Sequence, residues 1–475
     1  MKQSIKQLLD APRPSLIWIA ALAAIVLIGA GLRIAGARGD LWLDEIWSWN
    51  IANDDVASYA EIFTKAKIDN NHFLNTIILR AIGPDASLFA YRVPAILAGV
   101  GSIIFAGLIG WRKSQTTAVI AALLVSVSYL MVHYSSEARG YAYLIFFCLV
   151  CHYALSRAID SQGYLWPALY AAVAVFGLLS HLTFVCLLAG HVVWLVAAVA
   201  RKELPLRRGL IVSGIQFVLP ALFLLWLWRV SLSGIKTGGG DLTDLKHKIV
   251  EAFSLLVGAP ISGWLIVIGL LAGFLIVVVS AWKQIESDFS QCAAYFGLLA
   301  ALGFSILVSA EGFIYVRYFL VAVPATYLLI AGYLSQLWEQ DKSTRLASGL
   351  LLALFVGGNL YLTSQLIEKG RGQYSAALEM MRNETEGDAI FFASDEPAFR
   401  NVMLLRFYDQ RSPSKKRLNP EGAQLPQWVI IHSPELVFEP DRYINDPAGN
   451  RYRLHKVFPY ANLSGWNWAV YKRVE

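Results

Sequence analysis

Three short segments carry ionisable groups amid apolar neighbours. The first, Asp40-Leu-Trp-Leu-Asp-Glu-Ile-Trp-Ser-Trp, sets Asp44 and Glu45 among Trp42, Trp47 and Trp49. A carboxylate in a low-dielectric, aromatic setting suits general-base work, accepting the proton of an attacking hydroxyl. Neighbouring positions point in different directions, so at most one of the two reaches a reacting atom. The alternative is a helix N-terminus whose first-turn acids complement the dipole. The second segment, Asp69-Asn-Asn-His-Phe-Leu-Asn, offers Asn71 and His72 ahead of an apolar stretch, Phe73 to Ile82, able to lie flat on a membrane. His72 is a ligand, a hydrogen-bond donor to substrate, or the polar face of an interfacial helix. The third, His133-Tyr-Ser-Ser-Glu-Ala-Arg-Gly-Tyr, places Glu137, Arg139 and Tyr141 in one short turn. Glu137 and Arg139 either clasp each other or leave Arg139, a planar multi-donor cation, to neutralise a phosphate. Arg92 in Tyr91-Arg-Val-Pro and Arg317 in Tyr315-Val-Arg-Tyr-Phe add two more cations near span ends. One such arginine usually snorkels; three on one side, facing an acidic loop, suggest a site for a doubly charged headgroup.

These groups need a scaffold, and composition says which kind. Of 475 residues 56% are apolar and only 16% charged, against roughly a quarter charged in soluble domains. The chain reads as a polytopic membrane protein. Charges at membrane depth cost about 2.5–3.5 kcal/mol each on insertion scales, so those retained mark function more often than exposed ones do. The net charge of +6 follows from cation-rich cytoplasmic loops and calls for no nucleic acid.

Apolar runs of about 20 residues give about eleven spans: Ser15 to Ile34, Leu88 to Trp111, Thr117 to Val132, Tyr141 to Ala158, Tyr164 to Leu179, Thr183 to Ala200, Leu210 to Trp228, Pro260 to Trp282, Cys292 to Ser309, Tyr318 to Trp338 and Leu346 to Leu362. The first run is too long for a cleavable signal peptide and lacks a small-residue cleavage pattern. Lys2, Lys6, Arg13, Arg112, Lys113, Arg201, Lys202, Arg207, Arg208, Lys342 and Arg345 fall on one side, which the positive-inside rule makes cytoplasmic together with the N-terminus. An odd span number then puts the tail outside, beside the long loops 36–87 and 230–259. The expected organisation is an all-α membrane bundle over 1–362, including the first periplasmic loop 36–87, and a C-terminal soluble α/β domain over 363–475. In that tail, helices at Tyr374 to Asn383 and Ala398 to Tyr408 alternate with strands at Ala389 to Ala393 and Trp428 to His432; strand-like runs follow at Tyr452 to Val457 and Trp466 to Val470. It has no cysteine and no clear catalytic motif, so docking or shielding is its expected role.

Other chemistry is scarce. There is no P-loop, dinucleotide fingerprint, HExxH or GxSxG. The four cysteines, Cys148, Cys151, Cys186 and Cys292, lie in apolar runs and read as small fillers; a redox CxxC needs an exposed low-pKa thiol. Gly238-Gly-Gly240 reads as a flexible loop. Glu45, His72, Glu137 and His181 share the outer side, and oxygen-rich sites suit a divalent cation such as Mg or Mn, but no spacing identifies a metal site.

Taken in order, Leu43-Asp-Glu-Ile-Trp, Tyr91-Arg-Val-Pro, Tyr134-Ser-Ser-Glu-Ala-Arg-Gly-Tyr and Arg317-Tyr-Phe-Leu resemble the GT-C superfamily of integral-membrane glycosyltransferases, in particular bacterial relatives of protein O-mannosyltransferases and of the lipid A aminoarabinose transferase. The resemblance runs over about Ser15 to Leu362, and the tail is similar too. It implies a sugar donor on a polyprenyl phosphate and transfer at the periplasmic face of a bacterial inner membrane, with lipid, glycan or protein as acceptor. It implies Asp44 as catalytic base with Glu45 beside it, and Arg92, Arg139 and Arg317 on the donor phosphate, while His72, Asn71, Glu137 and Tyr141 would contact substrate. Many relatives have His-Pro-Pro-Leu late in the first loop; this chain has Asn71-His-Phe-Leu, which keeps the histidine and loses the proline turn. Direct displacement with one carboxylate predicts inversion at the anomeric carbon. A transporter or flippase of a lipid-linked saccharide is the main rival, and a non-catalytic assembly scaffold a third reading. A transporter needs ionisable groups along a path to the midplane, whereas these stop at one rim, and no internal repeat is visible.

Overall fold

The computed structural model describes residues 16–68, 70–235, 244–308, 314–414, 416–419 and 425–474. Gly238–Gly240, Ser15, Ser309 and Asp69 lie outside them. Every apolar stretch expected to span is helical: Leu16–Gly36, Leu88–Trp111, Gln115–Val127 with Tyr129–Tyr134, Tyr141–Asp160, Leu165–Ser180, Phe184–Ala200, Leu206–Leu227, Leu265–Ile285, Phe289–Val308, Val323–Gln340 and Lys342–Lys369. Among the described residues, seven helical stretches are long and apolar enough to cross a bilayer by length and composition; Gln115–Val127, Leu165–Ser180 and Phe184–Ala200 are shorter. The third stretch is broken where one helix was expected. Ser128 leaves helical geometry (φ −53°, ψ 125°) and its Oγ caps the next helix by accepting from Met131. Large apolar side chains such as Leu27, Leu225, Leu271 and Leu354 are exposed on these helices. Apolar surface of that extent is stable only against lipid, so the chain is a multi-pass membrane protein.

The loops 37–87 and 135–140, the helix Leu245–Leu256 and the chain beyond Lys369 gather at one end of the bundle, where they line a single cavity. There the chain forms a six-stranded mixed sheet, β1 (Ala389–Ser394), β2 (Arg417–Asn419), β3 (Trp428–Ser433), β4 (Tyr443–Asn445), β5 (Arg451–Phe458) and β6 (Asn467–Arg473), in the order β2-β1-β3-β6-β5-β4. β1 pairs in parallel with β2 and β3, and the other pairings are antiparallel. The expected strands are present, and the two unexpected ones, β2 and β4, are three-residue edge strands too short to leave a period in the sequence. The last membrane helix runs on to Lys369.

This sheet domain shares its core with the first loop. Leu43, Ile46 and Trp49, spaced three apart on the helix Leu43–Asn50, pack with Tyr374, Leu378, Phe407, Tyr408 and Trp468. Trp49 meets Phe407 edge-on at 5.3 Å, and the Tyr408 hydroxyl donates to the Leu41 carbonyl at 2.8 Å. One face of that helix is therefore fixed by the C-terminal domain, and the other turns to the bundle.

Candidate active site

The helix Leu43–Asn50 starts where the Trp42 amide donates to Glu45 Oε2 (3.2 Å), an acid reaching back to the helix start. With Leu43 and Ile46 turned to the apolar core, the two acids diverge. Asp44 lines a cavity of about 810 Å³ at the junction of bundle and sheet domain. Glu45 is fully buried away from it, taking two bonds from Arg92, Nε to Oε1 at 2.8 Å and Nη2 to Oε2 at 2.6 Å. Arg92 spends its remaining donors on the carbonyls of Ala37, Gly39 and Asp40, so it holds the loop and does not line the cavity.

Arg139 does line it. One Nη donates to Asp44 Oδ2. The other donates to Asn70 Oδ1 at 2.6 Å and meets His72 Nε2 at 3.0 Å. The guanidinium lies over the rings of Tyr141 (5.1 Å) and Trp42 (5.7 Å). Arg317 Nη1 stands 3.4 Å from the same Asp44 oxygen, its guanidinium 4.1 Å from the Tyr315 ring centre. The Nε atoms of Arg139 and Arg317 are buried without an acceptor among the described residues. Such donors are costly to leave unmet and suit an anion that brings its own oxygens.

His72 and His181 are held in the neutral form. Ser180 O, which can only accept, lies 3.2 Å from His72 Nδ1; the proton therefore sits on Nδ1, and Nε2 accepts from Arg139. Burial, then Arg139 and His181, hold the His72 pKa well below the usual imidazole value. Burial, Arg139 and Arg317 push His181 down to about 3. The two rings stand 5.1 Å apart.

Asn71 borders the cavity, but its amide is tied to the carbonyls of Ile62 (2.8 Å) and Ala66 (2.9 Å). Its neighbour Asn70 makes the contact to Arg139 and also donates to Asp44 O (3.2 Å) and Ser48 Oγ (3.3 Å). Glu137 is buried outside the cavity and pairs not with Arg139 but with Arg371 (3.1 Å) and His133 (3.0 Å). The structure thus brings Asp44, Arg139, Arg317, His72 and Tyr141 together around the cavity, and turns Glu45, Arg92 and Glu137 into the framework behind it. Asn70, Arg371, Arg400 and Trp466 enter without a sequence signal; the last two line the cavity from the C-terminal domain. Among the described residues no three His, Cys, Asp or Glu side chains converge on a metal-sized site. Of the donors considered for one, His72 and His181 lie side by side, while Glu45 and Glu137 face arginines instead.

Residues 73–228 match the family model described as dolichyl-phosphate-mannose-protein mannosyltransferase. Two solved structures of ArnT from Cupriavidus metallidurans share the fold. The form bound to undecaprenyl phosphate superposes with a TM-score of 0.51 at 12% identity, covering 96% of this chain and 98% of that one. The apo form gives a TM-score of 0.51 at 13% identity, covering 87% and 92%. No curated protein matches the chain in sequence. The fold is shared with these ArnT structures, and in this chain it is a helical membrane bundle with a C-terminal sheet domain.

Proposed function

With the GT-C glycosyltransferase fold as premise, we propose that this chain transfers a sugar from a polyprenyl-phosphate donor to an acceptor hydroxyl at the periplasmic face of the bacterial inner membrane. The observation that carries the reading is Asp44, held in the cavity by Arg139 and Arg317. ArnT binding undecaprenyl phosphate in the same fold supports that class of carrier. The N-terminus and the short cation-rich loops are cytoplasmic, and the cavity and sheet domain face outward.

In this reading the donor phosphate takes its place against Arg139 and Arg317, satisfies their unmet donors and loosens their hold on Asp44. The acceptor oxygen attacks the anomeric carbon from the face opposite the phosphate, and Asp44 accepts its proton. The bond from the anomeric carbon to the phosphate oxygen breaks, its electron pair stays on the polyprenyl phosphate, and configuration inverts. Two arginines fixed before the reaction stabilise the charge that grows on the leaving group without reorganising. His72, neutral, accepts from Arg139 and so orients it, while Tyr141 and Trp42 confine the guanidinium between ring faces. The prenyl tail remains in lipid, so only the sugar phosphate need be gripped.

Purified protein in detergent, incubated with a panel of polyprenyl-phosphate sugars, should release free polyprenyl phosphate from at least one of them in the presence of membrane extract as acceptor. Movement of intact donor across vesicles without its cleavage would instead support the flippase reading.

A further inference from the structure

We infer that Arg371 is a positioning residue that transmits the seating of the C-terminal domain to Arg139; the inference rests on the transfer function proposed above. Arg371 follows the last membrane helix and is almost fully buried, with 1% of its side chain exposed. Its guanidinium donates to Glu137 Oε1 (3.1 Å), Ser136 Oγ (3.1 Å) and His133 O (2.8 Å) in the turn 133–140, and to Gly36 O (2.9 Å) where the first loop begins. Four bonds from one planar fork are beyond what a lysine can make.

The backbone around Arg371 is held by the sheet domain. The Tyr374 hydroxyl donates to Arg371 O (2.8 Å), and the Ala461 amide donates to Gly370 O (2.8 Å). His133 Nε2 also meets Ser464 Oγ at 2.9 Å. On the bundle side, successive residues of the turn have separate anchors. Glu137 is held by Arg371, the Ala138 amide by Glu45 Oε1 (2.8 Å), the Ala138 carbonyl by Asn75 (2.8 Å), and Arg139 by Asp44. Of the anchors of residues 137–139, only Arg371 lies in the C-terminal part of the chain; Ser464 reaches the turn four residues before Glu137, at His133. Removing it releases the turn two residues before the guanidinium that faces the cavity, and displacements of about 1 Å at such a group cost up to roughly 100-fold.

The test uses full-length protein in detergent with undecaprenyl phosphate as the probe. Arg371→Met and Arg371→Lys should each weaken its binding by roughly 10–100-fold. The double variant Arg371→Met with Glu137→Gln, which leaves no unpaired buried carboxylate, should show the same loss with the thermal midpoint restored toward wild type. In an Arg139→Lys background, Arg371→Met should add little further loss, because both act on one group. A second full-sized loss there, or wild-type affinity in Arg371→Met, overturns the inference. If the wild-type protein does not bind the probe, the transfer reading fails. Amide exchange then judges the positioning role separately: faster exchange confined to residues 136–140 in Arg371→Met supports it, and unchanged exchange overturns it.

Discussion

Glu45 and Arg92 meet through two parallel hydrogen bonds of 2.8 and 2.6 Å, both side chains wholly shielded from solvent. One position earlier, Asp44 faces the cavity and a different pair of arginines. A helical step of about 100° thus gives two adjacent acids opposite tasks, one holding the loop and one available to chemistry.

Asp44→Asn keeps the shape and removes the proposed proton acceptor. Turnover, read as release of free polyprenyl phosphate, should fall by about 100-fold or more, as expected for a lost general base. Affinity for undecaprenyl phosphate should stay within a few-fold of wild type. Retained turnover would remove Asp44 from the mechanism.

Glu45→Ala and Arg92→Ala should act on stability first. Each leaves a buried charge without its partner, a loss of about 3–5 kcal/mol. Chemical denaturation in detergent should report a lowered midpoint for both. An Arg92→Ala protein of normal stability but weakened donor binding would return Arg92 to the phosphate site.

Arg139→Ala and Arg317→Ala should both raise the dissociation constant for undecaprenyl phosphate, measured by competition against a labelled donor. Arg139→Lys should recover only part of the loss, because lysine cannot bond Asp44, Asn70 and the phosphate from a planar fork. Equal affinity in all three would argue against a phosphate at this end of the cavity.

Acid should destabilise the fold through the histidines. His181 titrates near 3 in the folded chain and near 6.5 when unfolded, and His72 is shifted the same way. Between those values the unfolded chain binds more protons, so stability falls as pH drops from about 6.5 toward 3. His181→Gln should flatten that slope in a pH series of thermal midpoints; an unchanged slope would place the acid sensitivity elsewhere.

The membrane helices were legible because length and apolarity alone specify them. The break at Ser128 was not, since the serine's Oγ is drawn to Tyr327, a partner far away in sequence. The cluster of acids and arginines stood out because charge beside an apolar span is costly. Which acid faces the cavity was hidden, because it depends on where the sheet domain packs against Leu43, Ile46 and Trp49. Asn70 and Asn71 are adjacent and chemically identical, and only the turn geometry hands Arg139 to the first. Arg371 lies between two glycines after the last span, where a lone cation resembles any interfacial anchor.

The core shared by the helix Leu43–Asn50 and the C-terminal sheet domain has a temporal corollary. During synthesis the first loop emerges early with its apolar face bare, and the surface that covers it is translated long afterwards. The cavity can close only after the sheet domain has been made, so chains truncated before Tyr374 and retained in the bilayer would be inert.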